Sequence, residues 1–309
     1  MSIDRRSVLK AGLSGVLGGS LARLALAEPS AAAAQLERLS DRLAVVRGVG
    51  GNVVALQGGD GLLLVDSGAD GHTAQLTRAL AAFAGGAAVR TVFNTHWHPE
   101  QTGGNEVLGK AGATLIAHEK TRLWLATDHY VPEEDRYERA RPKAAQPTKT
   151  FYTTGSLTSG SEHIDYGYLL EAHTDGDIYV YFRDSNVLAV GHVAAPVRDP
   201  ELDWFAGGWI GGRLDALTLL HSLANEATRI VPADGPVLSR AQLRAELDLL
   251  QIVYDRTVEL LRKGDGPKEM LAAGALQGLA RTWNDPAKFL YAVCKGLWAH
   301  HNVLTHDIV

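Results

Sequence analysis

Short apolar runs that each stop on a polar residue beside a glycine turn are the strongest constraint in this 309-residue chain. Leu62-Leu63-Leu64-Val65 stops at Asp66-Ser67-Gly68. Val89 to Phe93 runs into Asn94-Thr95-His96-Trp97-His98, Val187 to Val190 closes on Gly191-His192, and Arg229 to Pro232 on Ala233-Asp234-Gly235. Runs of this length and composition read as strands, and Leu62 to Val65 as one buried on both faces. Leu43 to Val46, Asn52 to Leu56, Ala113 to Ala117, Tyr166 to Ala172 and Ile178 to Phe182 read as strands too. Between them lie helical periods: Thr73 to Phe83, Asn105 to Gly109, Glu119 to Thr127, Leu214 to Glu226, and Arg240 to Lys263 behind Ser239 as N-cap. Strands alternating with helices predict sheets covered by helices, the α/β class, and ligands in such folds gather outside the strand ends.

The polar residues at those ends are metal-capable. Two imidazoles one residue apart, His96 and His98, can turn ring nitrogens toward one ion, and Glu100 and Gln101 follow where further donors could come from. His173, His192 and Asp234 stand at other strand ends, each followed by or set in a glycine-containing turn. A lone histidine in such a place is usually structural; several together favour a site.

The remaining segments bound the reading. Twin arginines Arg5-Arg6 precede an apolar, glycine-containing run and the small-residue sequence Ala25-Leu26-Ala27, the layout of a twin-arginine export signal occupying 1–27 and placing the mature protein in a periplasm. The run is too short to span a membrane comfortably, so no stable membrane anchor is expected after cleavage. Removing 1–27 leaves 26 basic against 34 acidic side chains, a net charge of −8. With no basic patch to neutralise phosphates, a nucleic-acid partner is excluded and a small-molecule substrate expected. Cys294, the one cysteine, reads as a buried small hydrophobe. Residues 128–150, charged and carrying Pro132, Pro142 and Pro147, read as a surface excursion that could border a pocket. Residues 28–309 read as a single domain with a helical extension from about 265, packed through Trp283, Phe289, Tyr291 and Trp298.

Taken in order, Gly61 to Gly68, Thr95 to Asn105, His173-Thr174-Asp175-Gly176-Asp177 and Val231 to Val237 resemble the motifs of the metallo-β-lactamase superfamily over roughly residues 40–260. That resemblance implies a four-layer αββα sandwich with a metal site along one edge. It implies His96, His98 and His173 as the ligands of one ion, with Asp66 anchoring a loop behind the site. The pattern departs from the family at four places: Glu100 stands for an Asp, Gln101 for a third loop histidine, His192 for an Asp between two metals, and Asp234 for a final His. Three imidazoles and an open position suit catalytic zinc, so one zinc ion is expected, with iron or another divalent transition metal as alternatives. His192 could add a fourth imidazole, or hold a displaced second ion with Asp234 and Glu100.

Glu100 reads either as a general acid/base for water at the ion or as a partner orienting His96 or His98. Gln101 is a poor zinc ligand and stands beside the site. Trp204 and Trp209, in the glycine-rich run Trp204 to Gly212, read as an apolar substrate wall or as packing onto the next helix. His300 and His301 would reach a site only through an accident of the fold. The implied function is a metal-dependent hydrolase attacking an ester, lactone, thioester or amide with hydroxide generated at the ion. A non-catalytic metal- or ligand-binding protein on the same scaffold is the alternative, and an iron-dependent oxidoreductase the third.

Overall fold

The computed structural model describes residues 34–132 and 135–304, with side chains as far as His300. The export signal read at 1–27 lies outside the described residues, as do His306 and the side chain of His301.

An antiparallel meander begins the described chain: β1 (Gln35–Arg38), β2 (Leu43–Arg47), β3 (Val53–Gln57) and β4 (Leu62–Val65). Helix α1 (Thr73–Ala84) carries the chain to β5 (Val89–Phe93), which pairs parallel to β4. Two short helices, α2 (Pro99–Thr102) and α3 (Asn105–Lys110), lead to β6 (Thr114–His118), and α4 (Glu119–Ala126) follows. The segment expected as a surface excursion is a small hairpin, β7 (His129–Val131) with β8 (Arg136–Glu138), then a 3-10 turn at Lys143–Ala145. It returns through β9 (Lys149–Phe151) as the outer strand of a seven-stranded sheet, ordered β1-β2-β3-β4-β5-β6-β9. A five-stranded sheet follows: β10 (Thr154–Ser159), β11 (Glu162–Tyr168), β12 (Ile178–Phe182), β13 (Val187–Gly191) and, after helix α5 (Ile210–Leu223), β14 (Arg229–Pro232) parallel to β13. Helices α6 (Arg240–Arg262), α7 (Pro267–Ala272) and α8 (Pro286–Leu304) complete it.

The layers follow from the two-residue period of strands. In β2 and β3, Leu43, Val45, Val54 and Leu56 face the second sheet and meet Ile164, Ile178, Val180 and Phe182. Their neighbours Ala44, Val46, Val53 and Ala55 face the other way and pack with Leu76, Leu80 and Phe83 of α1. Tyr179, Tyr181, Leu188 and Val190 turn from the second sheet onto Leu217 and Leu220 of α5, Leu250 of α6 and Val293 of α8. Two sheets face each other with helices outside, the αββα order, and the all-apolar strands are apolar because both of their faces are buried.

Two boundaries differ from the sequence expectation. The strand placed at Tyr166 to Ala172 ends at Tyr168, and residues beyond it form the turn that delivers His173. Helix α5 starts at Ile210 rather than Leu214, taking in Gly211 and Gly212. A Cβ on Gly212 would lie 2.2 Å from the Glu171 carbonyl oxygen, so this glycine marks a helix packed against backbone rather than a flexible loop. Ser239 caps α6 as expected, its hydroxyl accepting from Gln242 N while the Gln242 side chain returns to Ser239 N.

One polar group sits deep in the helical layer. Arg213 is fully buried; it donates to the backbone oxygens of Glu201 (2.9 Å) and His192 (2.7 Å) and lies 3.6 Å from Glu246. Glu246 in turn accepts from Ala195 N at 3.0 Å. Replacing one member of such a pair strands the other charge, so Arg213→Met is expected to destabilise the fold by about 3–5 kcal/mol. Arg213→Met with Glu246→Leu should recover part of that loss, as read from denaturant midpoints.

Candidate metal centre

The edge of the sandwich gathers four histidines. The loop after β5 brings His96 and His98, the turn before β12 brings His173, and the end of β13 brings His192. One ring nitrogen from each lies within 4.8 Å of all the others. The rings of His96 and His173 have centroids 4.7 Å apart, and those of His98 and His173 4.8 Å. His96 and His173 are fully buried and His98 and His192 nearly so.

Local bonding explains why these loops hold their shape. Asp66 turns the chain at the end of β4 with a left-handed φ of 66°, and its carboxylate accepts from Thr95 N (2.7 Å) and Thr95 Oγ1 (2.9 Å). Thr95 Oγ1 lies 3.0 Å from His96 Nδ1, so with its proton given to Asp66 it accepts from Nδ1–H and leaves His96 Nε2 as a bare lone pair. The Gln101 carbonyl accepts from Ser67 N at 2.8 Å and Ser67 Oγ at 3.1 Å. Gly104 follows where a Cβ would lie 2.4 Å from Ser67 O, which accounts for the glycine after Thr102-Gly103. Asp177 accepts from the backbone nitrogens of His173 (2.5 Å) and Thr174 (2.7 Å), fixing the turn that carries His173.

A carboxylate stands behind each ring. His98 Nε2 lies 3.0 Å from Asp203 Oδ2, His173 Nδ1 3.6 Å from Asp177 Oδ1, and His192 Nε2 3.7 Å from Asp234 Oδ2, while Asp66 acts on His96 through Thr95. Asp203 is a second fastener, since its backbone nitrogen donates to His173 O at 2.9 Å.

The charges follow from burial and crowding. Burial, then the neighbouring His173, His98 and His192, hold His96 well below the ordinary imidazole range. Burial likewise lowers His192, with Asp234 opposing. For His173 burial works against the charged form, but Asp177 and Glu201 outweigh it and raise the ring to about 9. Glu201 is held well below its ordinary range by His173. Burial also raises Asp66 to about 7 against its two bonds to Thr95.

The donor set fits a metal. His96 Nε2, both nitrogens of His173 and His192 Nδ1 are buried with no hydrogen-bond partner among the protein's own groups. A buried polar atom left so costs about 1–3 kcal/mol, and clustered imidazole lone pairs are what a transition metal binds.

The other expected residues are placed as follows. Asp234 lies outside the group of four: it pairs with Arg198 Nε at 2.7 Å and stands behind His192. Burial opposes its ionisation, but His192 and Arg198 hold its carboxyl below the usual range. Glu100 is exposed on α2, lines a cavity of about 550 Å³ together with His98 and His192, and is likewise outside the group. Gln101 is buried, with its side chain beside the His96 ring and its backbone carbonyl accepting from Ser67. Trp204 and Trp209 do not line that cavity: Trp204 packs against Tyr291, and Trp209 stacks on His300 with centroids 4.0 Å apart. The aromatic wall is instead Trp97, Phe205 and Phe289. The packing reading of the tryptophans is the one the geometry matches, because the helical start at Ile210 turns Trp209 toward α8. His300 accordingly stays away from the histidine cluster. Asp203, Glu201 and Arg213 escaped the sequence reading; the acidic run Asp199-Pro200-Glu201-Leu202-Asp203 beside the aromatic loop was the available signal.

A two-sheet αββα sandwich with a histidine cluster at its edge defines a class of metal-binding folds, and the comparisons specify it. The sequence profile of the metallo-beta-lactamase superfamily matches residues 46–250. The chain belongs to that superfamily. Among solved structures, a metallo-beta-lactamase from Pontibacter korlensis aligns with a TM-score of 0.59 at 20% identity, over 71% of this chain and 99% of that one. The DIM-1 metallo-beta-lactamase gives 0.56 at 19%, over 71% and 97%. A double mutant of the sec-alkyl sulfatase PisA1 gives 0.65 at 15%, over 89% of this chain and 51% of that one, so this chain spans about half its length. No curated protein sequence matches. Identities this low establish shared fold.

The hydroxyl that fixes the His96 tautomer supplies a direct check. Thr95→Val keeps the side-chain shape but leaves Nδ1 without its acceptor, and is expected to weaken metal binding about ten- to a hundredfold, measured by chelator competition.

Proposed function

We propose that this chain is an exported metal-dependent hydrolase acting on an uncharged ester, lactone, thioester or amide with an apolar body. The observation carrying this reading is that the histidine cluster opens, through His98 and His192, into a cavity of about 550 Å³, the size that takes a small molecule. A divalent ion at those histidines supplies Lewis acidity toward water and a carbonyl oxygen. Binding and proton handling fall to the chain itself. Trp97, Phe205, Leu202 and Phe289 offer apolar surface, and Glu100 in the same wall is the group available to move a proton.

Charge narrows the substrate. The cavity is lined by Arg136, Arg198 and Lys288 against Glu100, Asp199, Glu201, Asp203 and Asp285. A divalent ion would bring that lining to balance, leaving no net attraction for a carboxylate or a sulfate. Arg198 is moreover committed to Asp234. Uncharged acyl substrates are therefore favoured over β-lactams and alkyl sulfates, the groups named by the structural relatives. Among the described residues no helix is long and apolar enough to cross a membrane. The twin arginines Arg5 and Arg6 support export of the chain to a periplasm.

The test is a substrate panel run on protein purified with its metal content measured. Hydrolysis of neutral esters or lactones that chelation abolishes and zinc, manganese or iron restores is the expected result. Metal without turnover of any member would leave a metal- or ligand-binding protein on this scaffold. Glu100→Gln is expected to lower kcat by about 10²–10⁴ while metal content stays unchanged. Arg5→Lys with Arg6→Lys should hold the chain in the cytoplasm, read by cell fractionation.

A further inference from the structure

We infer that Glu201 is a metal ligand, delivered by the loop between β13 and α5 to the side of the histidine cluster that opens into the cavity. The assignment rests on the reading of the four histidines as a metal centre and adds an oxygen donor to it.

Three observations carry it. Glu201 Oε2 lies 3.8 Å from His173 Nε2, and that nitrogen is buried with no hydrogen-bond partner. The separation is too long for a hydrogen bond and short enough for both atoms to reach one ion at about 2.0–2.2 Å each; Glu201 stands outside the group of four whose donor atoms all lie within 4.8 Å of one another, and meets it from the His173 side. Toward His173 the carboxylate therefore has the spacing of a fellow ligand. Its side chain is 52% exposed and lines the cavity beside His98 and His192, so it approaches the cluster from the open side.

The loop is also held where a ligand would need it. The guanidinium of buried Arg213 grips the carbonyl of Glu201 with one nitrogen and the carbonyl of His192 with the other. Two residues on, Asp203 N donates to His173 O. The loop that carries Glu201 is thus tied to the backbones of two of the four histidines.

Elimination points the same way. Asp203 is engaged with His98 Nε2, Asp177 with the His173 turn, and Asp234 with Arg198. Four neutral imidazoles would leave a buried divalent ion with its full charge, which is costly. One carboxylate halves that charge, and a set of four nitrogens and one oxygen accommodates iron, manganese, cobalt or nickel as readily as zinc.

Cobalt(II) titration of the metal-free full chain decides the matter, with visible absorption reporting the donor set and chelator competition the affinity. Glu201→Gln is expected to bind cobalt about ten- to a hundredfold more weakly and to shift the absorption bands, while the thermal midpoint of the metal-free protein stays in place. Unchanged affinity and unchanged bands in that variant would overturn the role of Glu201 alone. Should the metal-free variant melt early, Glu201→His returns a donor to the same position: recovered affinity supports the assignment, and continued loss overturns it. If the unaltered chain takes up no cobalt, zinc or iron, the metal centre itself is refuted and this assignment with it.

Discussion

Imidazoles crowded at the edge of a protein interior are the constraint on which the rest of this structure depends. Their free nitrogens forgo water and find no protein partner, and protonating them together is opposed by burial and by one another. The surrounding structure holds them there nonetheless. Each ring has a carboxylate behind it, from Asp66 by way of Thr95, Asp203, Asp177 or Asp234. These four acids come from different loops, so the arrangement forms only when both sheets are in place.

The sandwich supplies that edge because its strands are apolar on both faces. A strand covered by the opposite sheet and by a helix has no room for polar side chains along its length, so polar residues collect where strands stop. Those stops fall together where β5 and β13 end and where the chain enters β12. The long helices contribute in a second way. Arg213, on the buried face of α5, ties the end of β13 to the following loop, and Glu246 of α6 balances it. Helix packing and site geometry are therefore coupled through one guanidinium.

Superfamily membership does not by itself fix which side chains gather at the edge. The fold is that of the metallo-beta-lactamase superfamily, while the loop after His98 carries Glu100 and Gln101, and Asp234 is shared between His192 and Arg198. What remains is a nitrogen-rich group on one side and an apolar, acid-lined cavity on the other. The same fold serves many reactions, so the chemistry has to be argued from these side chains rather than from the scaffold.

Much of this was legible in the sequence. Short apolar runs bounded by turns and 3.6-residue periods located most strands and helices, Ser239 marked the start of α6, and the spacing of His96 and His98 announced a shared target, because all of these are local consequences of backbone geometry. The ordered motifs then indicated the αββα sandwich. The tertiary structure alone decided the rest. Asp203 meets His98 across more than a hundred residues, Glu201 reaches His173 from a loop with no period to betray it, and Trp209 turns to His300 because α5 begins early. It also set Asp234 behind His192 and against Arg198 instead of within the group of four, a matter of which cation stands nearer in space. Sequence spacing governs what one turn of chain can bring together, whereas the partners of a strand end are chosen by how the sheets pack.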